Sequence, residues 1–99
     1  MNVVTFPAEE LGRVCKNYGI RRLALFGSAL RGTHRPDSDV DLLVEFDAGR
    51  TPGLLRLALI ESELSGLLGG RRVDLRTEED LSPYFREQVI RQAKVQYAA

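Results

Sequence analysis

Residues 25–46 read LFGSALRGTHRPDSDVDLLVEF, and this stretch decides the fold class. An apolar segment ends at Phe26, and a Gly-Ser pair then turns the chain into a polar loop. A second apolar segment follows the loop, with Asp39 and Asp41 at its start. The two apolar segments predict β-strands at 20–26 and 39–46, and the pair of carboxylates interrupts a strand that otherwise has a buried pattern.

The rest of the chain predicts helices around a small sheet. Pro7 and Gly19 bracket a first helix, with proline at its start and glycine at its end. Leucines at helical spacing predict a second helix at 54–68, and 72–76 reads as a third, short strand. Ser82 and Pro83 begin a last helix, whose predicted apolar side is Phe85, Val89, Ile90, Ala93 and Tyr97. We therefore expect an α/β (α+β) fold, with a mixed sheet of about three strands flanked by helices.

The composition narrows the class of protein. The chain has 99 residues, with 14 basic and 14 acidic side chains, so we expect a single domain over 1–99 without a global charge that attracts nucleic acid. The start of the chain does not resemble a signal peptide, and no apolar run is long enough to span a membrane. Cys15 is the single cysteine, and it lies on the apolar stripe of the first helix, so we interpret it as a core residue. These features predict a cytoplasmic protein.

Three aspartates are candidate metal ligands. Asp39 and Asp41 are two residues apart on a strand, so they share a face, with Cβ atoms roughly 6.6 Å apart. Carboxylates at that separation can bridge two divalent cations, and Asp74 offers a third carboxylate on another short strand. Taken alone, the pair could be a solvated strand entry, and Asp74, among arginines, could be an ion-paired surface residue.

The Gly-Ser turn upstream favours the functional interpretation. Gly27 allows close approach of the backbone, Ser28 offers a hydroxyl, and a short helix predicted at 29–31 would present N–H groups to an anion. A turn that binds phosphate, followed by carboxylates that bind metal, forms one coherent site for a nucleoside triphosphate.

The joint motif resembles a known family. GSALRG, five residues and then SDVDLLVEF resemble the signature of the nucleotidyltransferase superfamily related to DNA polymerase β, and in particular the minimal nucleotidyltransferase (MNT) proteins. The later segment GRRVDLRTEEDLSPYFREQVIRQAKVQYA is similar to the third-carboxylate strand and closing helix of that family. Ala29 stands where many relatives carry a basic or polar residue.

The resemblance implies a role for each motif residue. Asp39, Asp41 and Asp74 are expected to be catalytic and to bind Mg²⁺, with two ions expected. Gly27, Ser28 and Arg31 are expected to bind the nucleotide. The implied reaction is in-line attack of an acceptor hydroxyl on the α-phosphorus of ATP, with pyrophosphate leaving.

The resemblance also implies a partner. MNT proteins are commonly antitoxins of HEPN-domain toxins and transfer AMP from ATP to a tyrosine hydroxyl of the toxin. We therefore expect such a toxin and a nucleoside triphosphate as partners, and neither a membrane nor a nucleic acid. The leucine-rich helix at 54–68 either packs deeply on the sheet or provides a surface for a partner or a homo-oligomer. The alternative functions are stoichiometric toxin binding without essential catalysis and nucleotidyl transfer to a small molecule.

Overall fold

The computed structural model describes residues 4–27 and 39–99. Within them the elements are helix α1 (Ala8–Tyr18), strands β1 (Ile20–Phe26) and β2 (Val40–Phe46), helix α2 (Leu54–Leu67), strand β3 (Val73–Arg76), a 3₁₀ turn (Glu78–Asp80), helix α3 (Pro83–Gln92) and strand β4 (Lys94–Ala98). The predicted α/β fold class is confirmed, and the boundaries of β2, α2 and β3 differ from the predicted ranges by one residue. The predicted helix at 29–31 and the loop after it lie outside the described residues.

The strands form one mixed sheet in the order β3-β2-β1-β4. Strand β1 is antiparallel to both β2 and β4, whereas β2 and β3 are parallel. The parallel pair is made possible by α2, which carries the chain back between the end of β2 and the start of β3.

Helices α1 and α2 pack on one face of the sheet and enclose the core. Successive side chains of strand β2 point to opposite faces, and Val40, Leu42 and Val44 are almost completely buried in that core. The core cluster comprises Val4, Phe6, Leu11, Val14, Cys15, Ile20, Leu23, Leu25, Val40, Leu42, Val44, Ile60, Leu64 and Leu75. Cys15 is fully buried, so its interpretation as a core residue is confirmed. Helix α1 ends at Gly19, whose positive φ of 69° fits the predicted glycine stop.

Helix α2 buries only part of its leucine-rich surface. Ile60 and Leu64 are fully buried, whereas Leu54, Leu55 and Leu59 are 85%, 91% and 53% exposed. Leu54, one of the leucines whose spacing predicted this helix, therefore does not contribute to the core. In the first turns of α2, Leu57 is half-buried against the core, whereas Leu54, Leu55 and Leu59 face away from it.

The second face of the sheet carries the predicted aspartates and is covered in part by α3. Ala24 and Leu43 are buried on this face and line a small cavity together with Ile90 and Ala93. Arg86 fixes the start of α3, since its guanidinium donates hydrogen bonds to the carbonyl oxygens of Glu78 at 2.7 Å and Leu81 at 3.2 Å.

The last segment corrects the prediction. Helix α3 ends at Gln92, and Ala93 is extended, so Tyr97 lies on a fourth strand rather than on the helix. Strand β4 pairs with the edge of β1 that β2 leaves free, and the hydrogen-bonding groups of β1 are thereby satisfied. Phe85, predicted on the apolar side of the helix, is 61% exposed.

In the described parts of the chain, none of the helices combines the length and the apolar character that crossing a membrane requires.

Candidate functional site

Two of the predicted aspartates lie side by side on the second face of the sheet. Parallel pairing places Asp41 on β2 directly opposite Asp74 on β3. Both side chains are partly buried. Asp39, one residue before β2, is exposed and lies on the same side of the strand path as Asp41. The fold therefore brings together carboxylates that are distant in the sequence.

Two hydrogen bonds fix the position of β3, in which Asp74 lies opposite Asp41. The Leu75 amide donates to Oε2 of Glu61 on α2 at 2.8 Å, and the Val40 amide donates to the Arg72 carbonyl at 2.8 Å. The first bond satisfies a donor on the outer edge of β3, which would otherwise face solvent. Sequence analysis did not identify Glu61, because nothing local to α2 indicates that a strand edge lies beside it.

Gly27 lies against the carboxylate of Asp41. Its φ is +76°, and a Cβ added there would lie 2.5 Å from Asp41 Oδ2. The position therefore requires glycine for two reasons, the backbone conformation and the space. Phe26, just before it, is the register partner of Asp41, so the end of β1 and the start of β2 form one local site.

The environment disfavours the charged form of Asp41. Burial raises the pKa of its carboxyl above the ordinary value, and the charge of Asp74 raises the pKa further. The guanidinium of Arg76 opposes these effects, and the charge of Asp39 adds a smaller increase. A cation bound between these carboxylates would relieve the repulsion.

Arg76 engages one oxygen of Asp74. Its Nε and Nη2 both lie 3.1 Å from Asp74 Oδ2, so neither contact uses Oδ1. Arg76 lies two residues from Asp74 on the strand and therefore on the same face. That same period of two could have identified Arg76 from the sequence as a neighbour of the site.

The donors on this face suit Mg²⁺ in their chemistry. Mg²⁺ prefers oxygen ligands and takes a small number of carboxylates together with waters and substrate phosphates. The repulsion on Asp41 and the space kept by Gly27 fit a bound cation. Among residues 4–27 and 39–99, however, no group of three or more His, Cys, Asp or Glu side chains is arranged to hold a metal ion. The metal roles of Asp39, Asp41 and Asp74 stay predictions.

Three further predictions concern residues outside the described ranges. Ser28 and Arg31, the predicted nucleotide-binding partners of Gly27, lie there, as does Ala29.

A cavity of about 430 Å³ adjoins Gly27 and was not anticipated from the sequence. It is lined by Phe26, Gly27, Phe85, Gln88, Val89 and Gln92. The spacing of Phe85, Gln88, Val89 and Gln92 could have indicated that they share a helix face. Only the fold shows that this face lies opposite the end of β1.

Known proteins with similar sequences identify the family. The profile of the nucleotidyltransferase domain matches residues 9–95. Protein adenylyltransferase MntA of Thermococcus cleftensis is 39% identical over 91 residues, which cover 92% of this chain and 86% of that protein.

Solved structures agree with the fold. A structure provisionally described as a minimal nucleotidyltransferase has 48% sequence identity and a TM-score of 0.69, and the match covers 87% of this chain and 85% of the other. A crystal structure of a toxin–antitoxin with AMP-PNP shares the fold at a TM-score of 0.70 and 22% identity, over 93% of this chain and 73% of the other. The predicted resemblance to minimal nucleotidyltransferases is thus confirmed, and the chain belongs to the nucleotidyltransferase family.

Proposed function

We propose that this chain is a Mg²⁺-dependent protein adenylyltransferase that transfers AMP from ATP to a tyrosine hydroxyl of a HEPN-domain toxin, and that it acts as the antitoxin of that toxin. The observation that carries the proposal is the pairing of Asp41 with Asp74 beside Gly27. The name of the Thermococcus relative supports the reaction. A structural neighbour described as a tri-AMPylated HEPN toxin of Shewanella oneidensis in complex with an MNT antitoxin supports the partner.

Gly27 and Asp74 have different roles in the proposed reaction. Gly27 gives the phosphates access to the backbone at the end of β1, next to Asp41. Asp74 lies on the far side of Asp41 from Gly27, because β2 separates β1 from β3. In this proposal, Asp74 faces the acceptor and Gly27 faces the leaving pyrophosphate.

The chemical step needs a nucleophile and a place for its proton. The tyrosine oxygen forms a bond to the α-phosphorus while the bond to the bridging oxygen breaks, and pyrophosphate carries away that electron pair. Asp74 accepts the hydroxyl proton at Oδ1, the oxygen that the Arg76 contacts leave unused. Mg²⁺ held by Asp39, Asp41 and Asp74 would neutralise the charge on the phosphates.

Intact-mass measurement tests the proposal. The protein is incubated with ATP, Mg²⁺ and a candidate HEPN partner, taken first from the adjacent gene. We expect an adenylyl-sized mass gain on the partner, which Asp39→Asn and Asp41→Asn each reduce by about 10²-fold or more. Asp47→Asn is the matched control, because Asp47 is an exposed acid just after β2. Equal transfer by the Asp41→Asn and Asp47→Asn variants would contradict the proposed site.

Exposed leucines favour a second candidate function, stoichiometric binding. Leu54, Leu55 and Leu59 form an apolar patch at the start of α2, away from the aspartates. If Asp41→Asn neutralises the toxin as well as the wild type does, and Leu55→Ser with Leu59→Ser does not, binding rather than catalysis carries the antitoxin function.

A further inference from the structure

The cavity between the end of β1 and α3 has the size of a small-molecule site. Its volume of about 430 Å³ falls within the range of roughly 300–1,000 Å³ that is usual for ligand pockets. Arg86 anchors the start of α3 to the 3₁₀ turn, so the helix that forms one wall is held in place by hydrogen bonds.

The cavity adjoins the aspartate site at Gly27. Gly27 contributes to its lining, and the same residue lies against Asp41. A ligand with its phosphates at Gly27 and Asp41 would therefore extend its remaining part into this space.

The lining suits an uncharged planar ring with a hydrogen-bonding edge. Phe26 and Phe85 supply aromatic rings, and Phe85 is 61% exposed, so its ring is available for contact. Gln88 and Gln92 are one helical turn apart, and each amide offers both donors and an acceptor. Within residues 4–27 and 39–99, the side chains that line the cavity carry no charge, which fits a nucleobase better than a phosphate.

We propose that this cavity binds the adenine base of ATP, with the ring stacked on Phe85 and its edge hydrogen-bonded by Gln88 and Gln92. The inference rests on the proposed function, which places the triphosphate at Gly27. Glutamine matches adenine because its amide can donate to N7 while it accepts from the N6 amino group. Stacking on an aromatic side chain supplies affinity for any base, whereas the amides supply the selectivity.

The strand order argues against the acceptor tyrosine as the occupant. In the order β3-β2-β1, the cavity lies on the β1 side of Asp41 and Asp74 lies on the β3 side. A tyrosine ring held in the cavity would carry its hydroxyl away from Asp74. The base and the acceptor therefore approach Asp41 from opposite sides.

Nucleotide binding to the complete chain tests the stacking contact without any transfer to a partner. Isothermal titration with a non-hydrolysable ATP analogue and Mg²⁺ gives the Kd of each variant. We expect Phe85→Ala to weaken binding about tenfold or more. Tyr84→Ala is the matched control, because Tyr84 is the neighbouring aromatic residue, is 91% exposed and does not line the cavity.

Competition between analogues of ATP and GTP tests the selectivity. We expect Gln88→Ala and Gln92→Ala to reduce the preference for the adenine nucleotide severalfold while their circular dichroism spectra stay unchanged. Glu87→Ala, an exposed change on the same helix, should leave the preference as it is in the wild type.

The results separate this inference from the proposed function. Equal Kd values for Phe85→Ala and Tyr84→Ala, unchanged selectivity in both glutamine variants, or no measurable ATP binding by the wild type would each overturn the adenine site. Binding that depends on these residues without transfer to any HEPN partner would support the adenine site and count against the proposed function. Transfer to the partner, with ATP binding that does not change in the Phe85, Gln88 and Gln92 variants, would support the proposed function and contradict the adenine site.

Discussion

Asp41 and Asp74 are register partners on the parallel strands β2 and β3, and both carboxylates stand on the face opposite the core. Neither strand alone creates the site, because each contributes one acid to an otherwise apolar segment. Their pairing concentrates negative charge where burial already disfavours it. This arrangement suits the binding of a cation more than it suits stability.

The charge on Asp41 should make the protein less stable at neutral pH. A raised pKa means that the native state takes up a proton more readily than the unfolded chain, so the free energy of unfolding falls as pH rises from the unfolded value, about 3.9, through the raised native value. Asp41→Asn should therefore be more stable than the wild type at pH 7, by a modest amount because solvent screens a carboxylate that is only partly buried.

Urea denaturation in EDTA at pH 7 and pH 3 measures this difference. At pH 3 the advantage of Asp41→Asn should largely disappear, because the wild-type carboxyl is then mostly protonated in both states. Asp47→Asn controls for the loss of an exposed acid. If Asp41→Asn is no more stable than the wild type at pH 7, repulsion at this site does not lower the free energy of unfolding.

Gly27→Ala should impair activity more than its loss of stability explains. Gly27 and Gly49 have φ values of +76° and +77°, but only at Gly27 would an added Cβ meet the Asp41 carboxylate. Both alanine variants should lose about 1–3 kcal/mol of unfolding free energy from backbone strain. Only Gly27→Ala should also reduce AMP transfer, by roughly tenfold to 10²-fold, because it displaces Asp41. Thermal denaturation measures the stability of both variants, and transfer assays measure their activity. An equal loss of activity in Gly27→Ala and Gly49→Ala would contradict the prediction.

Arg76 should control the pH dependence of the reaction rather than the stability of the fold. Its guanidinium lowers the pKa of Asp41 against the effects of burial and of Asp74. Arg76→Ala should therefore shift the acid limb of the pH–rate profile to higher pH. Its exposed ion pair should contribute less than about 1 kcal/mol to stability.

Arg91→Ala is the matched control for Arg76, since Arg91 forms an exposed ion pair with Glu87 on α3. It should leave the pH–rate profile in place. An acid limb that is unchanged in Arg76→Ala would mean that Arg76 does not act on Asp41 during the reaction.

Cys15 should be almost inert towards thiol reagents in the native protein. It is fully buried, and burial raises the pKa of its thiol to about 12. Because the thiolate is the reactive form, labelling with an aromatic disulfide at pH 8 should be at least about 10²-fold slower than in the urea-denatured protein. Since Cys15 is the single cysteine, the absorbance change reports this residue alone. Equal labelling rates in the two states would show that the first helix opens freely.

Short-range patterns in the sequence were sufficient for much of the fold. The spacing of Asp39 and Asp41 predicted that they share a face, because successive residues of a strand point to opposite faces. Gly19 predicted the end of α1, because glycine accepts the left-handed conformation at low cost. The motif resemblance predicted the family, and the family match confirms it.

The sequence by itself therefore determined the local elements and the chemical groups, and the tertiary structure decided which of them meet. The pairing of Asp41 with Asp74 depends on the parallel register of two strands separated by α2, and no local periodicity encodes such a register. Strand β4 forms because β1 has a free edge, and the residues of the segment Lys94–Ala98 do not indicate that edge. The cavity beside Gly27 likewise exists only because α3 lies over the end of β1. Contacts between distant segments depend on packing and on hydrogen-bond satisfaction across the whole chain, and these become visible only in the folded molecule.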